Sequence, residues 1–377
     1  MSAAFLAFFD RALTAPMITR TAADLGASPE EVSHTITVYV LAYAGAQVPW
    51  AALVGRIGQL RTLALASGLA AAATLAAATA TSITTLTVAR GIAGAALAAI
   101  VPTILVRIGE QRDLRARGVA TVNLATALSL GVAVGTALAA ALADWWSWRL
   151  AFAASAALGT VLCTLFALAP PPAEGIARVS FLASIPRIAR NPWAHGVLAL
   201  AAVEGALLVG VINYIPVALE SVDVAVSLAG LAVASFGISV VAWAPAVRAL
   251  VIRLPAWALL AAGGGAATAG YAILAGAISL ATAAVAVIAL GFSWACAHTQ
   301  LQAWATDVMT GARPLGMALF GVALFGGGVG GSALGTWSVA ADDFPALFAA
   351  SCAIAAVFAV AAGTLRLRYR TAAVAVG

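Results

Sequence analysis

The sequence predicts an all-α polytopic membrane protein, with twelve transmembrane helices in two pseudo-symmetric six-helix bundles. Three observations carry that expectation. Of the 377 residues, 63% are hydrophobic and only 9% charged, with a mean hydropathy of +1.05; no water-soluble domain has that composition. The apolar residues fall into about a dozen stretches, each near the roughly 20 residues that a bilayer helix needs. The 19 basic residues are all arginine, and fifteen of them fall in alternate connections, as the positive-inside rule requires.

Taken in order, the expected spans are 2–22, 33–54, 62–81, 84–107, 119–143, 149–169, 194–218, 226–247, 256–275, 277–301, 315–338 and 345–365. With the amino terminus inside, the inner connections carry Arg56 and Arg61, then Arg107, Arg112, Arg115 and Arg117, then Arg178, Arg187 and Arg190. Arg248 and Arg253, Arg313, and the tail's Arg366, Arg368 and Arg370 complete the inner set. Arg20 and Arg149 fall near the outer face, and Arg11 and Arg90 lie within spans. This pattern places both termini in the cytoplasm of a plasma membrane, with the all-arginine usage pointing to a GC-rich bacterial genome. The first apolar run is broken by Asp10 and Arg11 and has no basic residue before it, so the first helix itself, not a cleaved peptide, is the expected export signal. Ser28-Pro29-Glu30-Glu31 is a capping-box pattern with Pro at the first helical position, and it opens the second span. Pro170-Pro171-Pro172 opens the longest polar stretch. The expected division is therefore a first bundle at 1–169, a cytoplasmic linker at 170–193, and a second bundle at 194–377 with a short cytoplasmic tail. Within the linker, Phe181 to Arg187 reads as an amphipathic run lying along the inner membrane surface.

The composition also excludes function classes. A pI near 9.6 comes here from arginines in inner loops, so no nucleic-acid partner is expected. Cys163, Cys296 and Cys352 fall in apolar segments without a CxxC pair and read as free buried thiols. No metal-ligand spacing, phosphate loop or nucleophile–base pattern is present, so neither an enzyme nor a cofactor is expected. Gly263-Gly264-Gly265 lies inside a span, where it means packing.

The residues that stand out are polar ones inside apolar runs. Asp10 and Arg11 lie about 12–14 Å into the first span at 1.5 Å per residue. A charge at that depth costs at least about 2.5–3.5 kcal/mol and faces a bundle interior or a wet cavity. Asp10, Thr14, Met17 and Thr21 share one helical stripe. Pro16 removes a backbone donor in mid-span and predicts a kink. Arg90 lies at a depth similar to Asp10 in the fourth span, which invites pairing. Such a pair either changes protonation with conformation or is a permanent ion pair that holds the fold. Glu204 in span seven is a second proton site, a counter-charge for a cationic substrate, or a protonated hydrogen-bonder in the core. His298 follows Trp294 by one turn and is either a packing residue or a ligand. Arg11, Thr14, Met17, Tyr39, Tyr43, Tyr214, Trp243, Trp294 and His298 form the candidate substrate cavity. Trp145, Trp146 and Trp148 form an interfacial belt.

The halves echo each other. Gly131 and Gly135 in span five are matched by Gly327 and Gly331 in span eleven, as small-xxx-small faces for close helix approach. Trp50 is matched by Trp243, and Asp10 lands beside Glu204 at a similar offset. Parallel six-helix repeats are the build of one large class of secondary transporter.

By these residues the chain resembles the major facilitator superfamily. Ala51 to Arg61 is similar to its signature loop G-x-L-a-D-R-x-G-R-R, matching at Leu53, Arg56, Gly58 and Arg61, with Ala51 in place of the leading Gly and Gly55 in place of the acid. Arg90 and Gly94, followed by Pro102, resemble the R-x-x-x-G motif of proton-coupled members. Gly131 and Gly135 resemble part of the antiporter motif, whose Pro is here Thr136, and Trp148-Arg149 with Phe152 resembles the W-R-x-x-F that often opens span six. The Asp of span one has counterparts in drug:proton antiporters and arabinose-efflux-permease-like proteins. The resemblance implies proton-coupled efflux of a small drug-like, sugar or other metabolite molecule by a monomer in the bilayer, with Asp10, Arg90 and Glu204 in coupling and Arg56, Gly58 and Arg61 in the inner gate. Proton symport or facilitated uptake is the alternative; a receptor or an intramembrane enzyme is the remaining class.

Overall fold

The computed structural model describes residues 1–111, 113–170, 181–341 and 343–376. Arg112, Arg178, most of the expected linker's first half, and the side chain of Arg370 lie outside what is described. Every element among the described residues is helical. The first segment, α1, comes in three pieces: Ser2–Ala12, Ala15–Met17 and Ile18–Leu25. It is followed by α2 (Pro29–Ile57), α3 (Gln59–Ala78), α4 (Ile83–Gly109), α5 (Leu114–Trp145) and α6 (Trp148–Leu168). After a short helix, Phe181–Ala189, come α7 (Pro192–Glu220), α8 (Val226–Arg253), α9 (Ala256–Gly276), α10 (Leu280–Val308), α11 (Arg313–Ala341) and α12 (Phe344–Val376). Eleven of these, α2 to α12, are long and apolar enough to cross a membrane. The twelfth, α1, fails that length test because it is broken.

The break has a local cause. Pro16 has no N–H to donate to Ala12, so the helix stops at Ala12 and restarts through a single 3-10 turn at Ala15–Met17. The expected kink is a break in the hydrogen-bond ladder, with Leu13 and Thr14 still at helical dihedrals. Starts are set by caps: Ser28 accepts from Glu31 N while Glu31 reaches back to Ser28 N. Ser279 and Thr282 form a second capping box at the start of α10, and Ser82 Oγ accepts from Thr85 N at the start of α4. These two caps lie 197 residues apart, which sets the register of the repeat between the starts of α4 and α10.

The repeat extends to packing. In the first half α2 packs on α4, and α3 on α4 and α6; in the second, α8 packs on α10, and α9 on α10 and α12. Trp50 Nε1 donates to Ala95 O at 2.7 Å, and Trp243 Nε1 to Ile288 O at 3.2 Å, each pair 45 residues apart. A Cβ at Gly131 would lie 2.5 Å from Phe5 O, and one at Gly135 2.6 Å from Phe9 O, so α5 touches α1 through bare backbone. Likewise, a Cβ at Gly327 or Gly331 would fall on the carbonyl of Ala202 or Ala206, so α11 touches α7 in the same manner.

Two compact units result. One holds Met1–Arg107, Ala127–Arg187 and Gly311–Ala318; the other holds Ile108–Thr126, Ile188–Thr310 and Leu319–Gly377. The first turns of α5 thus belong with the second unit, and those of α11 with the first.

Candidate functional site

The break in α1 prepares a site. In the last turn of Ser2–Ala12 the carbonyl of Asp10 accepts only a long bond from Leu13 N, 3.3 Å, so it is free to take another donor. Arg90 supplies it: Nη2 donates to Asp10 O at 3.0 Å, while Nη1 donates to Asp10 Oδ1 at 2.6 Å. The other carboxylate oxygen, Oδ2, accepts from Thr74 Oγ1 at 3.0 Å and Ser155 Oγ at 2.8 Å. The four residues come from α1, α3, α4 and α6. Asp10 is 0% and Arg90 1% exposed, so this is a dry ion pair with three side-chain donors on one carboxylate.

Aromatic rings close the node. The Arg90 guanidinium carbon lies 4.4 Å from the centre of the Tyr39 ring and 5.2 Å from that of Phe152. A Cβ at Gly94 would fall on the carbonyl of Tyr39, so Gly94 is what lets α4 bring Arg90 under that ring. Tyr39 is itself buried and stacks with Tyr43 at 6.5 Å. Met17 packs in an apolar cluster with Phe9, Leu13 and Phe152, among core residues rather than on an open wall. Thr14 is buried, with its hydroxyl unbonded among the described residues. Arg11 is half-buried over the Phe8 ring at 5.5 Å.

The second unit holds another buried pair. His298 Nδ1 and Glu204 Oε2 are 2.7 Å apart, with the residues 2% and 1% exposed. The His298 ring stacks on Trp294 at 3.9 Å. Sequence reasoning singled out both residues without joining them. Asp10 and Glu204 do not sit at matching positions: Phe5 and Phe9 meet the α5 glycines as Ala202 and Ala206 meet those of α11, which places Asp10 opposite Leu207, one turn beyond Glu204. Tyr214 donates to Ser332 O at 2.8 Å and is packed over Gly335, and Trp243 bonds to α10.

At the gate loop, Gly58 has φ +85°, ending α2 and starting α3 within one residue, a conformation open to glycine. Arg56 and Arg61 are exposed and form no ion pair among the described residues. An acid-bridged arginine cluster exists elsewhere: Arg117 Nη1 lies 3.2 Å from Asp307 Oδ1, and Arg366 Nη1 3.7 Å from its Oδ2. Near the far end of α1, Asp24 accepts from Trp148 Nε1 at 3.1 Å and from Arg149. The Arg149 and Trp148 hydrogen bonds hold the Asp24 carboxyl below its ordinary range.

A bundle of long apolar helices, built as two repeats with a buried ionisable pair in each, is a multi-pass membrane protein with the build of a secondary transporter. The family model of the Major Facilitator Superfamily matches residues 1–312, and the chain belongs to that superfamily. No curated protein matches the sequence at a significant level. Among solved structures, the transporter FucP in its outward conformation is similar at 17% identity, covering 97% of each chain, with a TM-score of 0.77. The proton:xylose symporter XylE, bound to 6-bromo-6-deoxy-D-glucose, is similar at 14% identity, covering 95% of this chain and 92% of its own, also at 0.77. A point-substituted form of FucP, the E. coli fucose:proton symporter, gives 17% identity, 97% and 98% coverage, and 0.74. At these identities the likeness is one of fold.

Proposed function

We propose that the protein is a proton-coupled secondary transporter that exports a small organic molecule, drug-like, sugar or other metabolite, by alternating access. The observation that supports coupling is the dry carboxylate of Asp10, gripped by Arg90 at 2.6 Å inside the first unit. Two six-helix halves, 1–169 and 194–377, joined by a cytoplasmic 170–193 linker, rock about the substrate as a monomer in a plasma membrane. Arg56, Gly58 and Arg61 act at the inner gate. Proton uptake at Asp10 releases Arg90, and deprotonation on the other side restores the pair. Each tenfold difference in proton affinity between the two conformations biases that step by about 1.4 kcal/mol.

Export is favoured by the Gly131–Gly135 remnant of the antiporter motif. Import by proton symport is the second reading, favoured by likeness of fold to two proton symporters. Everted membrane vesicles with an acidified lumen separate them, using a panel of radiolabelled sugars and cationic dyes. An antiporter accumulates its substrate in the acid lumen, a symporter discharges it, and a flux indifferent to the gradient leaves facilitated diffusion. Asp10→Asn should abolish gradient-driven flux while substrate binding stays measurable; normal uphill transport by that variant would remove Asp10 from coupling.

A further inference from the structure

We propose that Glu204 and His298 form a second proton-binding site, and that in the conformation described here Glu204 is the carboxylate that loads. This deepens the proton-coupled reading of the protein and rests on it. The two side chains are closely packed. A Cβ on Gly205 or on Gly327 would fall on the backbone carbonyl of Leu324 or Ala202, so α7 and α11 meet beside Glu204 through bare backbone. His298 is sandwiched by Trp294 at 3.9 Å and Phe320 at 6.0 Å. Both partners sit beside π turns, Ala206–Gly210 in α7 and Trp294–His298 in α10, a local geometry concentrated at functional sites.

The decisive difference lies in the lone pairs. Asp10 accepts from Arg90, Thr74 and Ser155, so a proton there forfeits the charge-assisted character of three bonds already made. Glu204 uses Oε2 for His298, and its Oε1 is buried without a hydrogen-bond partner among the described residues. A proton taken from water adds to Oε1 and breaks no bond. Its arrival raises the net charge of the pair by one, and its departure restores it. Among the described residues, the packed elements bring no further ionised group to the pair. From α11 come Phe320 and Leu324; from α9, Gly263 against Ala297, and Tyr271, whose hydroxyl is donated to Leu207 O; from α8, Phe236 against Trp294. Cys296, in the same π turn, donates its thiol to Leu259 O. The charges further along α10 and α12, Asp307 and Arg366, pair with each other and with Arg117.

The test needs protons alone. Difference infrared spectroscopy on the purified full-length protein, between alkaline and acid buffer without substrate, should show the high-frequency band of a carboxylic acid in a dry site. We expect Glu204→Gln to lose that band, Asp10→Asn to keep it, and His298→Asn to move its pH midpoint. Loss of the band in Asp10→Asn with retention in Glu204→Gln overturns the proposal, as does a wild-type protein with no such band. If Glu204→Gln fails to fold, His298→Asn decides: a midpoint indifferent to that change means that the pair is not the site. Vesicle flux indifferent to a proton gradient would defeat proton coupling and leave the infrared result standing, so the two failures are distinguishable.

Discussion

Asp10, Thr74, Arg90 and Ser155 join in one polar node in the first unit. The residues 197 positions later are Leu207, Tyr271, Val287 and Cys352, and they meet in one apolar cluster in the second. The hydrogen bond between α3 and α1 survives in altered form, since Tyr271 donates to Leu207 O at 2.6 Å across the same 64-residue separation as Thr74 and Asp10. The exchange also runs in reverse: Glu204 and His298 stand opposite Ala7 and Val101. One helical architecture therefore closes equally well around charges or around hydrocarbon. Replacing a buried ion pair by apolar packing is often neutral or stabilising, so holding the fold does not by itself account for the node.

The sharpest way to break the comparison is Arg90→Ala. It strands a buried carboxylate and should cost about 3–5 kcal/mol, read as a large fall in the thermal unfolding midpoint in detergent. Next comes the conversion of one half into the other. Asp10→Leu together with Arg90→Val installs the second unit's residues at the first unit's positions. Its stability should lie between unchanged and about 1–4 kcal/mol higher, with gradient-driven flux lost. A double variant as unstable as Arg90→Ala would make the node a structural device.

A smaller effect tests the shared packing. Gly327→Ala should cost about 1–3 kcal/mol through its clash with Ala202. Gly330→Ala, which meets nothing within 4 Å, should be neutral or gain up to about 1 kcal/mol from helix propensity. Equal melting temperatures for the two would mean that α11 does not need its bare face.

The smallest effect belongs to a contact unique to the first half. Because the Asp24 carboxyl is held below its ordinary range, its contribution is present above the unfolded-state value. It is lost as pH falls through the folded one. Asp24→Asn should lower stability slightly at neutral pH and flatten the acid limb of a stability–pH curve, the two proteins converging in acid; an unaltered acid limb would show the contact to be inert.

Much of this was legible in sequence because it depends on local chemistry. Arginine placement and apolar length mark the spans, Pro16 marks the break in α1, and the common depth of Asp10 and Arg90 anticipates their contact. What escaped depends on register between distant helices. Thr74 sits in an alanine-rich run with nothing to separate it from Thr79 or Thr85. Glu204 and His298 lie 94 residues apart on different helices, and no periodicity links them. A one-turn error was enough to set Asp10 beside Glu204. Arg56 and Arg61 carried the gate motif, yet the carboxylate-bridged arginines are Arg117 and Arg366, whose shared acid lies in a third segment.

The exchange of Gly311–Ala318 into the amino-terminal unit has a consequence for biogenesis. A ribosome finishes Met1–Arg107 and Ala127–Arg187 long before it reaches Gly311. At about 5–20 residues per second the wait is roughly 6–25 s. Throughout it the early helices are inserted, but their surface for the start of α11 has no occupant from the same chain. A stop codon anywhere before α11 leaves the first unit, as well as the second, unfinished.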